Sequence, residues 1–513
     1  MSTSVSDTTL ATLAPTAVWT HFAALCRIPR PSKHEEAVRA HVLQWAQGLG
    51  LATQVDAAGN LIVRKPASPG CEAVPTLSLQ GHLDMVTQKN SDSAHDFLRD
   101  PIEAVLRDDG WLQAPATTLG ADNGVGVALI MALLADGHVP HGPLEALFTV
   151  DEEAGMGGAH GLAAGTLQGR LMLNLDTEEW GEFYLGCAGG ADVDVVRAGV
   201  PEPLPVGHEV WTVRLSGLRG GHSGVNIHEG RGNAIVELVR VLLELPDEGG
   251  GLRLIRLQGG NARNAIPREA EAVLAVPAGG ALAVALRDPA RREAIEAGLR
   301  RIEPQAQCQW VQDAAPMADL QVLDAASQAL WLQTLHAAPY GVFRMSQDVP
   351  GVVETSNNIG VLALTPDEGQ VNFMVRSLLS AGTHELSEKL RSLWALSGTP
   401  VAVSGEYPGW QPNPQSPLLA RCQRVYRQRY GEDSQVQVIH AGLECGILAD
   451  KHPGMDIVSF GPTIRGAHAP GEAVEVASVA RCWELLCAIV ADLAGAPAQP
   501  ASVLPLASAT SST

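Results

Sequence analysis

None of the eight cysteines (Cys26, Cys71, Cys187, Cys308, Cys422, Cys445, Cys482 and Cys487) stands in a CxxC pair. That excludes a zinc ribbon and a thioredoxin-like redox motif, and thiols this sparse in a long chain fit a reducing compartment. Runs of Lys and Arg are missing too. Basic residues number 35 against 56 acidic ones, a formal net charge of −21. Such a surface repels nucleic acid and anionic membranes. No uninterrupted apolar stretch is long enough to span a bilayer. The opening MSTSVSDTTLATLAP has no basic segment followed by an apolar run, so it is not read as a secretory signal. The expectation is a cytoplasmic protein with neither nucleic-acid nor membrane partners.

What is present is globular. Hydrophobic residues make up 46% of the chain and charged ones 18%, unlike a disordered sequence. At 513 residues, the chain exceeds what one core usually serves, so two or more domains are expected. Ser32 followed by Glu35 has the pattern of a capping box, and Ala37, Val38, Val42 and Trp45 follow at helical spacing. Two strand-like runs, 51–56 and 60–65, come next. Apolar runs at 76–80, 145–150, 171–175 and 456–460 read as buried strands, and 125–135 and 479–493 read as helices. This alternation predicts an α/β fold, a mostly parallel sheet flanked by helices. Catalytic residues then gather at the C-terminal ends of the strands.

Residues 190–402 have a different texture. The passage NARNAIPREAEAVLAV leading to RDPARREAIEAGLRRI is echoed by ETSNNIGVL and QVNFMVRSLL leading to THELSEKLRSLWAL. An inserted α+β domain containing a duplicated unit is expected from the echo. The expected boundaries are a first domain over 1–189, its insertion over 190–402, a return over 403–494, and an unpacked Ala/Pro/Ser-rich tail over 495–513.

Five segments carry chemistry. TLSLQGHLDMV runs a strand into His82 and Asp84, two apart and so on one side of extended backbone. In TTLGADNGVG, Asp122 opens an apolar helix, where an aspartate ordinarily serves as the cap. LEALFTVDEEAGM ends a strand in Asp151, Glu152 and Glu153, which a surface turn could also carry. Adjacent side chains diverge, so one glutamate can bind a metal while its neighbour faces water. LMLNLDTEE delivers Asp176, and DIVSFGPTIRGAHAPGE delivers His468. Two imidazoles and three carboxylates at one sheet edge make a plausible set for two divalent ions. Two dications against three carboxylates and one hydroxide come near neutrality, as an occluded site requires. A structural zinc site would more typically use thiolates.

The motifs GHLDMV, LGADNGVG, DEEAGM, NLDTEE, GCAGG, GGHSG, HAGLECG and GAHAPGE resemble those of the M20 family of co-catalytic zinc peptidases, along nearly the whole chain. The resemblance implies a zinc-peptidase-like catalytic domain with an inserted lid domain. It implies that Asp122 bridges two ions, with His82 and Asp176 completing one and Glu153 and His468 the other. Glu152 is then the general base and Asp84 orients His82. His222, in LRGGHSG, matches the family's lid histidine and would stabilise the oxyanion. Asn264 and Arg376 become candidates for binding substrate oxygens, while His440, Gly442 and Glu444 of HAGLECG would lie near the substrate. Zn²⁺ is the expected metal, though the same ligands serve Mn²⁺ or Co²⁺.

In this family an aspartate at position 176 goes with aminopeptidases and dipeptidases, a glutamate with carboxypeptidases and deacylases. The implied activity is hydrolysis of dipeptides with a free N-terminus, Xaa-His included. The alternative is an N-acyl amino acid deacylase or carboxypeptidase using the same metals. A metal-binding scaffold has no need of Glu152, and a two-metal phosphoesterase lacks a basic phosphate cluster. The resemblance favours a homodimer, although a duplicated lid could replace a partner's contribution.

Overall fold

The computed structural model describes Leu10 and residues 12–246, 251–313 and 320–495. The expected tail lies outside these residues beyond Gly495. The chain divides into two compact units: 1–185 with 413–437 and 447–513, and 186–412 with 438–446.

The first unit is built on an eight-stranded sheet. At its centre the strands Leu144–Thr149, Leu77–His82, Leu171–Asn174 and Asp456–Ser459 run parallel. All six residues of Leu77–His82 are buried, as are those of Leu144–Thr149, polar Ser78, Gln80 and Glu145 included, so neither strand has a solvent face. The sheet is mixed and not mostly parallel. Ala52–Val55 pairs antiparallel with Leu61–Lys65, Leu61–Lys65 with Leu144–Thr149, and Glu182–Cys187 with Asp456–Ser459. The short AAG turn after Val55 allows only an antiparallel return.

Helix Ala121–Ala135 is buried along nearly its whole length, so its hydrophobicity shows no one-sided stripe. Helix Thr16–Cys26 packs near it and was not expected from the sequence. The capping box expected at Ser32 does not form. Helix Glu36–Gly48 has no side-chain cap. Ser32 Oγ instead donates to Asp84 Oδ2 at 2.7 Å, and Glu35 Oε1 accepts the amides of Lys33 and Asp151.

The second unit is a nine-stranded sheet backed by helices. Its strand order repeats from the two edges inward. From one edge come Gln307–Gln312, His208–Ser216, Ala270–Pro277 and Arg253–Gly259; from the other come Val401–Tyr407, Gly189–Ala198, Glu368–Ser377 and Val353–Leu364. In each half the chain makes the strand next to the edge first, then a helix, the inner pair, a helical segment and the edge strand. The expected boundaries put 186–189, 403–412 and 438–446 with the first domain, but these segments belong to the second unit. There Ala188 N–H is shared between the carbonyls of Ile439 and Ala441, and His440 meets Ser356.

Candidate metal centre

In the first unit the central strands deliver their chemistry at one edge. His82 is the last residue of its strand and lies in register with Thr149. Two residues beyond Thr149 the Asp151–Glu153 turn begins, and two beyond Asn174 comes Asp176. Asp122 stands at the opening of the buried helix, after a cap glycine (Gly120, φ 70°), and its peptide with Asn123 is cis. His468 follows in a loop between the strands Ile464–Arg465 and Ala473–Glu475.

These side chains converge in two sets. His82 Nε2 lies 3.1 Å from Asp122 Oδ1 and 3.2 Å from Asp176 Oδ1. His468 Nε2 lies 3.2 Å from Asp122 Oδ2 and 3.1 Å from Glu153 Oε2. One ring nitrogen carries one hydrogen and cannot point it at two oxygens at once. Asp176 Oδ1 and Glu153 Oε1 are buried without a hydrogen-bond partner. Donor atoms around an ion bound at ~2.0 Å would be about 3.3 Å apart in a tetrahedron, close to the spacings seen. Among the described residues, ligand atoms of His82, Asp122 and Glu153 all lie within 4.8 Å of one another, so these residues fit a bound divalent cation, and Asp122 faces an imidazole on each side.

The electrostatics agree. Burial, and then repulsion from Asp122 and Glu153, raise the Asp176 carboxyl to about 6 despite His82. Glu178, two residues on, is pushed up to about 8 by burial and then by Asp122. Hydrogen bonds to Asp122 and Glu153 raise His468 to about 11. A cluster of this kind favours cations of high charge.

Four buried side chains tie the loops together. The Asp84 carboxylate accepts from the backbone amides of Glu152 and Glu153, both at 3.1 Å, and its Oδ1 lies 3.4 Å from His82 Nδ1. Burial opposes its ionisation, but His82, Ser32 and the Glu152 amide outweigh that and lower it to about 2. Arg30 donates to the carbonyls of Leu83, Asp84 and Gly120, joining the His82 strand to the Asp122 turn. Asn123 Nδ2 donates to Leu175 O at 2.6 Å, joining that turn to Asp176. Glu472 accepts the amides of residues 119–122. Glu152 itself is half-buried beside Glu153.

In the second unit a separate polar cluster forms. Arg376 is buried, donating from Nε to Ser223 Oγ at 3.2 Å and from Nη1 to Tyr407 OH at 2.9 Å. His222 Nδ1 accepts the amides of Gly224 and Val225 at 3.2 and 3.0 Å, which leaves the ring hydrogen on Nε2. That Nε2 lies 3.5 Å from Arg376 Nη2. Both groups are donors, so they flank a place for an acceptor. A side chain at Gly224 would put Cβ 1.8 Å from His440 O, so only glycine fits there.

His440 Nε2 meets Ser356 Oγ at 2.8 Å, and burial, then Arg376 and His222, lower the imidazole to about 3. Gly442 lies against the Tyr407 ring. Asn264 is exposed, and its carbonyl accepts the Ser223 amide at 2.8 Å. Glu444 is fully buried at the start of its helix.

Residues 78–492 match the model of peptidase family M20/M25/M40. The chain belongs to that family. The cytosol non-specific dipeptidase of Escherichia coli (strain K12) is 42% identical over 484 residues, which is 94% of this chain and 99% of the relative. The solved aminoacylhistidine dipeptidase of Vibrio alginolyticus is 41% identical and superposes with a TM-score of 0.82 over 96% of this chain and 98% of its own. An aminopeptidase from Bacillus cereus shares the fold, with a TM-score of 0.54 and 17% identity, over 94% and 99% of the two chains.

Within this M20 chain, sequence reasoning missed Arg30, Asn123, Glu178, Glu472, Ser223 and Tyr407. Asn123, Glu178, Glu472 and Ser223 lie inside the motif segments themselves (LGADNGVG, NLDTEE, GAHAPGE and GGHSG). Their partners are mostly backbone groups far away in sequence, which no local pattern reveals.

Proposed function

We propose that the chain is a two-metal dipeptidase acting in the cytoplasm on dipeptides with a free N-terminus, Xaa-His among them. The observation that carries this is the pair of imidazoles, each facing two carboxylate oxygens at 3.1–3.2 Å with Asp122 common to both. His82, Asp122 and Asp176 would hold one ion; Asp122, Glu153 and His468 would hold the other. Zn²⁺ suits these ligands best, with Mn²⁺ or Co²⁺ as substitutes. Such a pair of ions, when bound, lowers the pKa of water toward neutrality and polarises a peptide carbonyl.

Glu152 takes the proton of the attacking water and later returns it to the leaving amine. The water oxygen bonds to the carbonyl carbon, the C–N bond breaks, and no other reactant is consumed. Asp84 fixes the backbone of Glu152 and Glu153 together, so base and ligand keep their spacing. In the second unit, His222 Nε2–H and Arg376 offer two donors for substrate oxygen. His222 is assigned the oxyanion and Arg376 the substrate carboxylate. The second unit is proposed to be a lid built from a duplicated α+β element, which the repeating strand order supports. Asn264, His440, Gly442 and Glu444 are assigned to its substrate-facing shell, Glu444 through its backbone because its side chain is buried.

No helix among the described residues is long and apolar enough to cross a membrane. The names of the Escherichia coli and Vibrio relatives support the dipeptidase reading over the deacylase one. The test is a panel of dipeptides and their N-acetylated forms, assayed before and after chelation with single metals restored. Hydrolysis of free dipeptides that chelation abolishes and metal restores supports the reading. Preference for the acetylated forms sinks it.

A further inference from the structure

An aspartate that opens a helix normally spends its carboxylate on the helix's own unpaired amides. Asp122 has the backbone of such a cap (φ −79°, ψ 112°), yet its oxygens face His82 and His468. The amides at this turn are taken from outside. Glu472 Oε2 accepts Leu119 N–H at 2.7 Å and Gly120 N–H at 2.9 Å, and Oε1 accepts Ala121 N–H at 2.8 Å and Asp122 N–H at 3.2 Å.

Glu472 is 2% exposed and lies four residues after His468. Its own backbone is fixed, its carbonyl accepting Ala114 N–H at 3.1 Å and its amide donating to Ala469 O at 3.1 Å. On the opposite side of the turn, Arg30 Nη2 donates to Gly120 O at 2.5 Å. The turn is therefore gripped by an anion on its amides and a cation on its carbonyl. Only a carboxylate offers two oxygens for four N–H groups; a glutamine would turn an NH₂ group toward two of them.

We propose that Glu472 is a positioning residue for the metal centre: by taking the amides of residues 119–122 it fixes the turn that presents Asp122 to both His82 and His468. This rests on the two-ion reading above. Without Glu472 the N–H groups of residues 119–122 lose their acceptor, and the turn that carries Asp122 must shift to find another. Because Asp122 serves both sides, both ions weaken together.

The test is equilibrium dialysis of the full chain against Zn²⁺ with metal analysis, comparing wild type with Glu472→Gln and Glu472→Asp. Each is also assayed across metal concentrations, and the metal-free proteins are melted. For Glu472→Gln, affinity for both ions should fall about 10- to 100-fold, as for other residues that orient ligands. Activity should recover at saturating metal with the KM for dipeptide unchanged. If that variant melts lower but binds two ions as tightly as wild type, Glu472 only stabilises the helix and the proposal is overturned. A loss confined to one ion overturns it too, assigning Glu472 to the His468 loop. Should Glu472→Gln fail to fold, the shorter Glu472→Asp is judged by the same criteria. Wild type binding no divalent ion would take down the two-ion reading and this inference together; a variant result touches the inference alone.

Discussion

Asp84 accepts the backbone amide of Glu152 with one carboxylate oxygen at 3.1 Å, and the amide of Glu153 with the other at the same distance. A residue expected only to orient His82 thus also sets where the proposed base and its neighbouring ligand sit. In Asp84→Asn, the new NH₂ would meet a backbone donor, and one of the two turn contacts would be lost. Activity should drop about 10- to 100-fold, chiefly in kcat. Steady-state kinetics at saturating metal check this, and wild-type kcat in the variant would reduce Asp84 to a packing role.

Removing the base separates chemistry from metal binding. Glu152→Gln keeps the side chain's shape and leaves all five proposed ligands in place. The expected outcome is two bound ions with kcat reduced by about 10²- to 10⁴-fold. Full activity in this variant would refute the mechanism, and metal analysis on the same sample shows whether the ions stayed.

Arg376 is held at two points, by Ser223 and Tyr407, so its fork is fixed before any substrate arrives. A lysine cannot reproduce that planar fork. Arg376→Lys should raise KM for dipeptides at least about tenfold, the order of one charge-assisted hydrogen bond. Dipeptide amides, which lack the carboxylate, should be little affected. Equal losses on both substrates would assign Arg376 to something other than the carboxylate.

His440 gives a signature in stability against pH. Its folded pKa is lowered from 6.5 to about 3 by burial, then by Arg376 and His222, so the fold excludes the charged form. Between those values the unfolded chain binds the extra proton. The stabilisation is complete above about pH 6.5 and declines as pH falls toward 3, by up to about 1.4 kcal/mol per unit. Urea unfolding at several pH values should show a shallower decline for His440→Gln than for wild type. Identical slopes would place the titrating group elsewhere.

The sequence made the candidate ligands legible because few residue types can bind a cation, and most stood just past the ends of strand-like runs. On that ground His82, Asp122, Asp176, His468 and one of the paired glutamates stood out, the resemblance selected Glu153, and the four central strands showed as short, largely apolar runs. The supports were hidden for a physical reason. Glu472 and Arg30 act on backbone groups as far as 353 and 90 residues away, where no spacing rule operates. Ser32 and Glu35 were misread as a capping box because that motif is local, while their partners Asp84 and Asp151 lie two residues beyond the strands Leu77–His82 and Leu144–Thr149. Antiparallel flanks were missed since alternation of strands and helices reports only the parallel centre.

The repeating strand order of the second unit bears on its donor pair. His222 sits on a short strand paired with Ala265–Ile266, in the half containing Arg253–Gly259; Arg376 lies in the other half. The halves join where only Leu257–Gly259 pairs with Leu362–Leu364, whereas the ladder between Glu368–Ser377 and Gly189–Ala198 runs the length of both strands. Torsion of the sheet should concentrate at that short join. The hydrogen bond from Arg376 to Ser223, the neighbour of His222, crosses that join, so the two donors work as a caliper whose opening is clamped.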